Sequence, residues 1–333
     1  MSIFSTPNLT TGLAAQAVSR LSTFTDIPEL LRSSWPAHAR LLEHADALHL
    51  AGFASLSPYA QYLVELVIKD RWTKINRSLL PAADEDALQA LMTDCEAVMV
   101  GSSAVHFCQP SSSWAPTVVE FTVPSQYFER FCDNLQRLSR GAATHPATDT
   151  DAENRAVAGR RVVRSAHATF DILSSAEITS LNPITHFYST HLMTFVSSTA
   201  ICVAYPHTFF KRMGVIHPAS NHELVARGVH KWAERGYQLV AGVRATQPSG
   251  HAESECDPVG HCPAQRRYFG DGQCLTIRFG RNSVLTHRGH FMAPLAWTAG
   301  WVIGGQSCGT ATCTGDDMPF QSCVVAAAIS DLV

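Results

Sequence analysis

Only 16% of the 333 residues are charged, and no excess of basic over acidic side chains exists, the formal net charge being −3. Broad electrostatic binding to nucleic acid is therefore not expected, because that mode needs a basic surface. Long apolar runs are also missing. The nearest, Phe291–Gly305, is interrupted by Thr298 and by small residues, so it reads as a buried segment rather than a membrane span. Residues 1–20 lack a basic start followed by a continuous apolar stretch, and no secretory signal is expected there. No internal repeat is found. No Gly-x-Ser-x-Gly elbow, no phosphate-binding Walker loop, no His-Glu-x-x-His and no dinucleotide fingerprint occurs. Together these absences remove the commonest hydrolase, ATPase, zinc-protease and dehydrogenase readings.

What is present is a chain with 46% hydrophobic residues, enough for a sizeable core and too apolar for disorder. Ten cysteines spread over this length suit reduced intracellular thiols better than a disulfide scaffold, and a cytoplasmic location is the expectation. The sequons at Asn8 and Asn76 are short enough to arise by chance.

Residues 1–56 read as a Ser/Thr-rich tail with short helices, among them Ile27–Leu31 and Ala45–Leu50. Residues 57–245 read as one α/β domain, and residues 246–333 as a Cys/Gly-rich β extension packed on it. Within the middle part, Leu63, Leu66, Val67 and Trp72 recur at helical spacing over Tyr59–Leu79. Acids at Asp84, Glu85 and Asp86 precede a second helix, as the positive helix N-terminus favours. A strand Ala97–Val100, a helix to Phe107 and a strand Thr117–Val123 come next. Ser125 then opens a helix with Phe128, Phe131, Leu135 and Leu138 on one face, stopped at Gly141. Residues 142–155 are small and polar and are expected to form a loop. Arg161–Arg164 and Ala168–Leu173 read as a hairpin, Ile184–Val196 as a helix, and Ala200–Ala204 as a strand. Glu223–Arg235 reads as an amphipathic helix before the strand Tyr237–Val243. Further strands are expected at Cys274–Phe279 and Phe291–Ile303, with a loop at Gly304–Asp316.

The chemically suggestive unit is the strand Val98-Met99-Val100 running into Gly101-Ser102-Ser103. Glycine permits a tight turn, and backbone N–H groups at a helix N-terminus can cradle phosphate. The next strand should then offer two carboxylates on one face, two residues apart, to hold Mg²⁺ or Mn²⁺. Here the first position is Val118 and only the second, Glu120, is acidic. An ordinary helix cap and a strand-face acid account for the same residues.

Several blocks then carry a family resemblance. They are Lys74-Ile75-Asn76-Arg77-Ser78-Leu79-Leu80, Ala97–Cys108, Trp114-Ala115-Pro116 with Val119-Glu120-Phe121-Thr122-Val123-Pro124, Asn182–Thr190, Ala204-Tyr205-Pro206, and Cys256 with Cys262-Pro263. The chain resembles a group of proteins from mushroom-forming fungi whose Gly-Ser turn and acidic strand are similar to the core of the nucleotidyltransferase (polymerase-β-like) superfamily. The resemblance implies a mixed central sheet with flanking helices, α/β in class, plus an N-terminal helical segment. It implies nucleotide contacts at Gly101, Ser102 and Ser103. It also matches Asp171 to the third carboxylate, the base in active members, so Glu120 and Asp171 are the implied catalytic and metal-binding pair. With Val118 in the first acid's place, the implied protein binds a nucleotide, another small molecule or a partner with little turnover. An active metal-dependent nucleotidyltransferase using Glu120 and Asp171 is the alternative. A third reading is an adaptor, since relatives carry F-box-like helices near the position of Ile27–Leu31.

Cys256, His261, Cys262 and Cys274 are the candidate set for a structural zinc, with Cys308 and Cys313 further on. The five-residue gap between Cys256 and Cys262 is wider than in a usual knuckle, which favours buried thiols. His186 and His191 lie five apart and do not share a helix face, and His207 stands alone. Cys108 and Cys132 have no base marked by the sequence.

Overall fold

The computed structural model describes residues 42–81, 83–84, 86–140, 143–146, 156–218, 220, 222–241, 265–279, 299–303 and 321–324. The chain divides into Met1–Glu43 and His44–Val333, and every element below belongs to the second unit.

Among the described residues of this unit three helices come first: α1 Ala47–Ala54, α2 Pro58–Leu79 and α3 Ala87–Asp94. α2 starts because the Ser57 hydroxyl accepts the Ala60 N–H at 3.1 Å and Pro58 occupies the first turn, where no N–H is needed. Its buried face is Leu63, Val64, Val67, Ile68 and Trp72. The Trp72 ring lies 5.2 Å from Phe107. Each such large apolar side chain contributes roughly 1.5–3 kcal/mol when fully buried. Arg71 donates to the Phe107 carbonyl at 3.2 Å and also bonds the Ala45 carbonyl, joining the helical segment to the chain around Phe107. Asn76 is buried on this helix and so presents no surface sequon.

The middle of the chain builds a mixed sheet of eight strands. In chain order they are β1 Val98–Val100, β2 Val118–Pro124, β3 Ala143–Pro146, β4 Val157–Arg164, β5 Thr169–Ser175, β6 Thr194–Val196, β7 Ala200–Val203 and β11 Leu275–Arg278. Their spatial order is β11-β7-β6-β1-β2-β5-β4-β3. All neighbours in this sheet are antiparallel except β2 and β5, which run parallel near its centre. Helices α4 Gly101–Cys108 and α5 Phe128–Leu138 come after β1 and β2, the latter beyond a 3-10 turn at Ser125–Tyr127. Further along come α6 Asn182–Thr185, α7 Pro206–Phe210, the parallel pair β8 Met213–Val215 and β9 Gln238–Val240, and α8 His222–Glu234 between them. A small sheet holds β10 Arg267–Tyr268, β12 Ala299–Val302 and β13 Gln321–Val324. The architecture is therefore mixed α/β, a central mixed sheet flanked by helices. Among the described residues no helix is long and apolar enough to cross a membrane.

The two faces of the sheet are packed differently. On one, Phe121 meets Phe131 of α5 at 5.3 Å and Phe170 of β5 at 6.4 Å. On the other, Val98, Val100, Phe195 and Cys202 join Leu181, Ile184, Phe269 and Trp301 in one buried cluster. That second face continues onto β2, β5 and β4. There Val118, Glu120, Thr169, Asp171, Leu173, Arg160 and Val162 are only half-buried.

Three local expectations need correction, and the helix stop at Gly141 lies outside the described residues. Ile184–Val196 is not one helix. Pro183 starts a single turn, α6, and then Thr194–Val196 pairs with β7 and β1, so sheet pairing overrides the helical spacing. Within 142–155, Ala143–Pro146 is a strand that covers the free edge of β4. Its Pro146 suits an outer strand, where a missing N–H costs no ladder bond. At the end of α5 the left-handed residue is Arg140, at φ 45°. Ser125 begins the 3-10 turn rather than capping α5 directly. Ile27–Leu31, most of Phe291–Ile303 and the loop Gly304–Asp316 also lie outside the described residues.

Candidate functional site

β1 delivers the chain to Gly101 with φ +61°, the left-handed region that favours glycine. This turn aims the first N–H groups of α4 at β2. The Ser102 N–H donates to Glu120 Oε2 at 3.0 Å. The approach is so close that a Cβ on Gly101 would lie 1.6 Å from that oxygen. Gly101 thus makes room for a carboxylate, and the helix N-terminus already holds an anion supplied by its own chain. The Ser103 hydroxyl donates to the Val118 carbonyl at 3.0 Å, tying α4 to β2.

Glu120 and Asp171 are brought side by side. They are register partners across the parallel β2–β5 pair. Partners in adjacent strands point to one face, so the two carboxylates share a face, with Glu120 at the head of α4. Asp171 is not free, however. Arg160 of β4 donates Nε to Asp171 Oδ1 at 2.9 Å and Nη2 to Oδ2 at 2.7 Å. The geometry comes from register: Val162 is the direct partner of Asp171, and Arg160 stands two residues along on the same face.

Positive charge also faces Glu120 from α8. Burial raises the Glu120 carboxyl above its usual range, while Lys231, the Ser102 N–H and Arg160 pull the other way and Asp171 adds to the rise. Burial lowers the Lys231 ammonium, and Glu120 opposes that shift. The Arg235 guanidinium, just past α8, is lowered by burial too and lies 4.2 Å over Trp114 and 4.9 Å over Trp232. Trp114 and Trp232 meet edge to face at 5.5 Å. Tyr188 lies on Gly228 of α8, where an added Cβ would be 2.4 Å from the ring. Burial pushes the Tyr188 phenol up to about 12, with the nearby Glu120 adding to it.

The donor set does not suit Mg²⁺ or Mn²⁺. Such a cation needs several oxygen ligands in near-octahedral geometry. Val118 offers none, both Asp171 oxygens accept from Arg160, and one Glu120 oxygen accepts from Ser102. Among the described residues no group of three His, Cys, Asp or Glu side chains is placed to hold a metal.

Of the zinc candidates, Cys256, His261 and Cys262 lie outside the described residues. Cys274 sits beside Arg267, its Sγ 3.6 Å from Nη2, and contacts Cys202. His186 bonds Ser322 at 2.7 Å, His191 bonds Ser189 at 3.0 Å, and His207 bonds Lys211 at 2.8 Å, so each is engaged separately. Burial pushes the Cys108 and Cys132 thiols up to about 12, out of the range of reactive thiolates.

Sequence reasoning missed Arg160, Lys231, Arg235, Tyr188 and the two tryptophans. Lys231 and Arg235 were visible as a four-residue pair on an amphipathic helix. Arg160 carried no local signal, because its role depends on hairpin register.

No family model matches the chain. No curated protein matches it either. Among solved structures, a tRNA-processing enzyme in an apo form aligns at 14% identity and TM-score 0.35, over 46% of this chain and 42% of that one. The chain thus spans less than half the length of that structure, and an overlap that small fixes neither fold nor activity.

Proposed function

We propose that this chain is a nucleotidyltransferase-like protein whose transfer site has lost turnover, and that it binds a nucleotide at the face holding Gly101, Ser102, Glu120 and Asp171. The observation that carries the reading is the bidentate clasp of Asp171 by Arg160, at 2.9 and 2.7 Å, beside a Glu120 that caps α4. The arrangement of a Gly-Ser turn, a neighbouring strand acid and a second acid on the adjacent parallel strand supports the nucleotidyltransferase-like comparison. The state of those acids argues against transfer. In-line phosphoryl chemistry uses metal ions that steady both the attacking and the leaving oxygen. A base must also accept the attacking hydroxyl's proton, and a carboxylate with both oxygens held by a guanidinium is poorly placed for that. Lys231 and Arg235 supply cations beside the half-buried Trp114 and Tyr188, a combination suited to a phosphate and a base.

The test is to incubate the full chain with each nucleoside triphosphate, labelled at the α-phosphate, with Mg²⁺ or Mn²⁺. Melting temperature and label transfer are both recorded. Stabilisation by at least one nucleotide without covalent transfer is expected. Transfer that disappears in E120Q or D171N would restore the active-enzyme reading. The absence of any nucleotide shift would remove the nucleotide from the proposal and leave a protein partner.

A further inference from the structure

We infer that Arg160 is the resident cation of this face, standing where a nucleotidyltransferase would hold its metal, and that Glu120 and Asp171 therefore take up no divalent ion. The inference rests on the nucleotidyltransferase-like reading of the face and adds its ion requirement.

The two oxygens of Asp171 each accept one N–H from a planar fork, at 2.9 and 2.7 Å, the geometry in which Arg and carboxylate bind best. The partners are fixed on adjacent strands, β4 and β5, whose ladder sets their separation. The side chains are 31% and 13% exposed, so solvent screens the pair less than it would a fully exposed one. A guanidinium keeps its proton at any ordinary pH, so a divalent ion binding Asp171 would always meet that fixed positive charge. The second acid is diverted as well, since Glu120 Oε2 accepts the Ser102 N–H. Val118, two residues before Glu120 on the same face, provides no oxygen. Of the four carboxylate oxygens on these two acids, three are thus engaged by Arg160 and Ser102, which leaves far less than Mg²⁺ requires. The local charge points the same way. Arg160 clasps Asp171, and Lys231 and Arg235 face Glu120, so each of the two carboxylates already has a cationic neighbour. Such a setting repels a divalent cation and suits an anion. A phosphate-bearing ligand would meet Lys231 and Arg235 directly, without a bridging metal.

The experiment titrates Mn²⁺ alone into the full chain and follows the free-ion electron paramagnetic resonance signal. In wild type, uptake should be the same as in D171N. R160Q, similar in length but uncharged, releases Asp171 and should bind Mn²⁺ at least about tenfold more tightly, as expected when a unit positive charge beside a divalent ion is removed. R160Q/D171N should lose that gain, and V118D/R160Q should exceed it. Wild-type uptake that is lost in D171N overturns the inference, as does a folded R160Q that binds no better than wild type. If R160Q does not fold, the comparison of wild type with D171N decides alone. Because no nucleotide is present, failure of every nucleotide to stabilise the protein would sink the functional reading and leave this result untouched.

Discussion

Replacing Gly101 by alanine should disable the head of α4 through one identifiable contact. Two costs arise. An L-residue at φ +61° is strained by roughly 1–2 kcal/mol. The new Cβ would also lie 1.6 Å from Glu120 Oε2 and 2.6 Å from its carboxyl carbon, so the carboxylate must leave. Its departure forfeits the 3.0 Å bond from Ser102 N–H. A hydrogen bond to a charged group contributes about 1.5–3 kcal/mol. G101A should therefore cost about 2.5–5 kcal/mol in all. The same change made on E120A should cost only the backbone strain, about 1–2 kcal/mol, since nothing remains to be displaced. The assay is urea unfolding of wild type, G101A, E120A and the double variant, monitored by tryptophan fluorescence. The coupling read from the cycle should be about 1.5–3 kcal/mol. Equal costs of G101A in both backgrounds would refute the claim that Gly101 exists to admit Glu120.

Acid should weaken the fold through buried histidine. Burial holds His191 neutral down to about 3, whereas the unfolded chain protonates it near 6.5, so stability is lost as pH falls below 6.5. By pH 5 the loss from this residue is about 2 kcal/mol, and His217, lowered to about 4, adds in the same direction. A urea midpoint that stays flat from pH 7 to 5 would contradict this. Glu120 has the opposite sign. Its raised carboxyl keeps the proton in the folded state above the usual 4.5, so its charge weakens the fold increasingly as pH rises through that window. E120Q, which can still accept the Ser102 N–H, should match or exceed wild-type stability at pH 7, with its advantage shrinking toward pH 4.5, and melting curves across that range test it. Gly228→Ala should destabilise by about 1–3 kcal/mol although glycine-to-alanine usually favours a helix, because Tyr188 would be overpacked. A stabilised G228A would show that the Tyr188 ring moves at little cost.

How much of this was legible in the sequence depends on the range of the forces involved. α2 and α5 declared themselves because a helix buries residues at a spacing the sequence displays, as Leu63, Val67 and Phe131, Leu135 do. β2 and the β4–β5 hairpin were legible from β-branched runs. Ile184–Val196 misled because Thr194–Val196 is governed by its sheet neighbours, which lie elsewhere in the chain. At the site, Gly101, Ser102 and Glu120 were found through local order. The adjacency of Glu120 and Asp171 came only through resemblance, and the structure makes them register partners. The clasp by Arg160 was out of reach, and so was the facing of Lys231 and Arg235 toward Glu120, although their four-residue spacing was visible. They depend on strand register and on how α8 packs, and neither leaves a mark in the order of residues.

The central claim is that this face binds a nucleotide through the protein's own cations and does not transfer it. The most direct measurement is the melting temperature of the full chain with each nucleoside triphosphate, once in EDTA and once in Mn²⁺. A ligand at a hundredfold excess over its dissociation constant adds about 2.7 kcal/mol, a readily visible shift. An equal shift in both buffers is expected for at least one nucleotide. A shift seen only with Mn²⁺ and abolished in E120Q would contradict the claim and return the protein to the active, metal-dependent class.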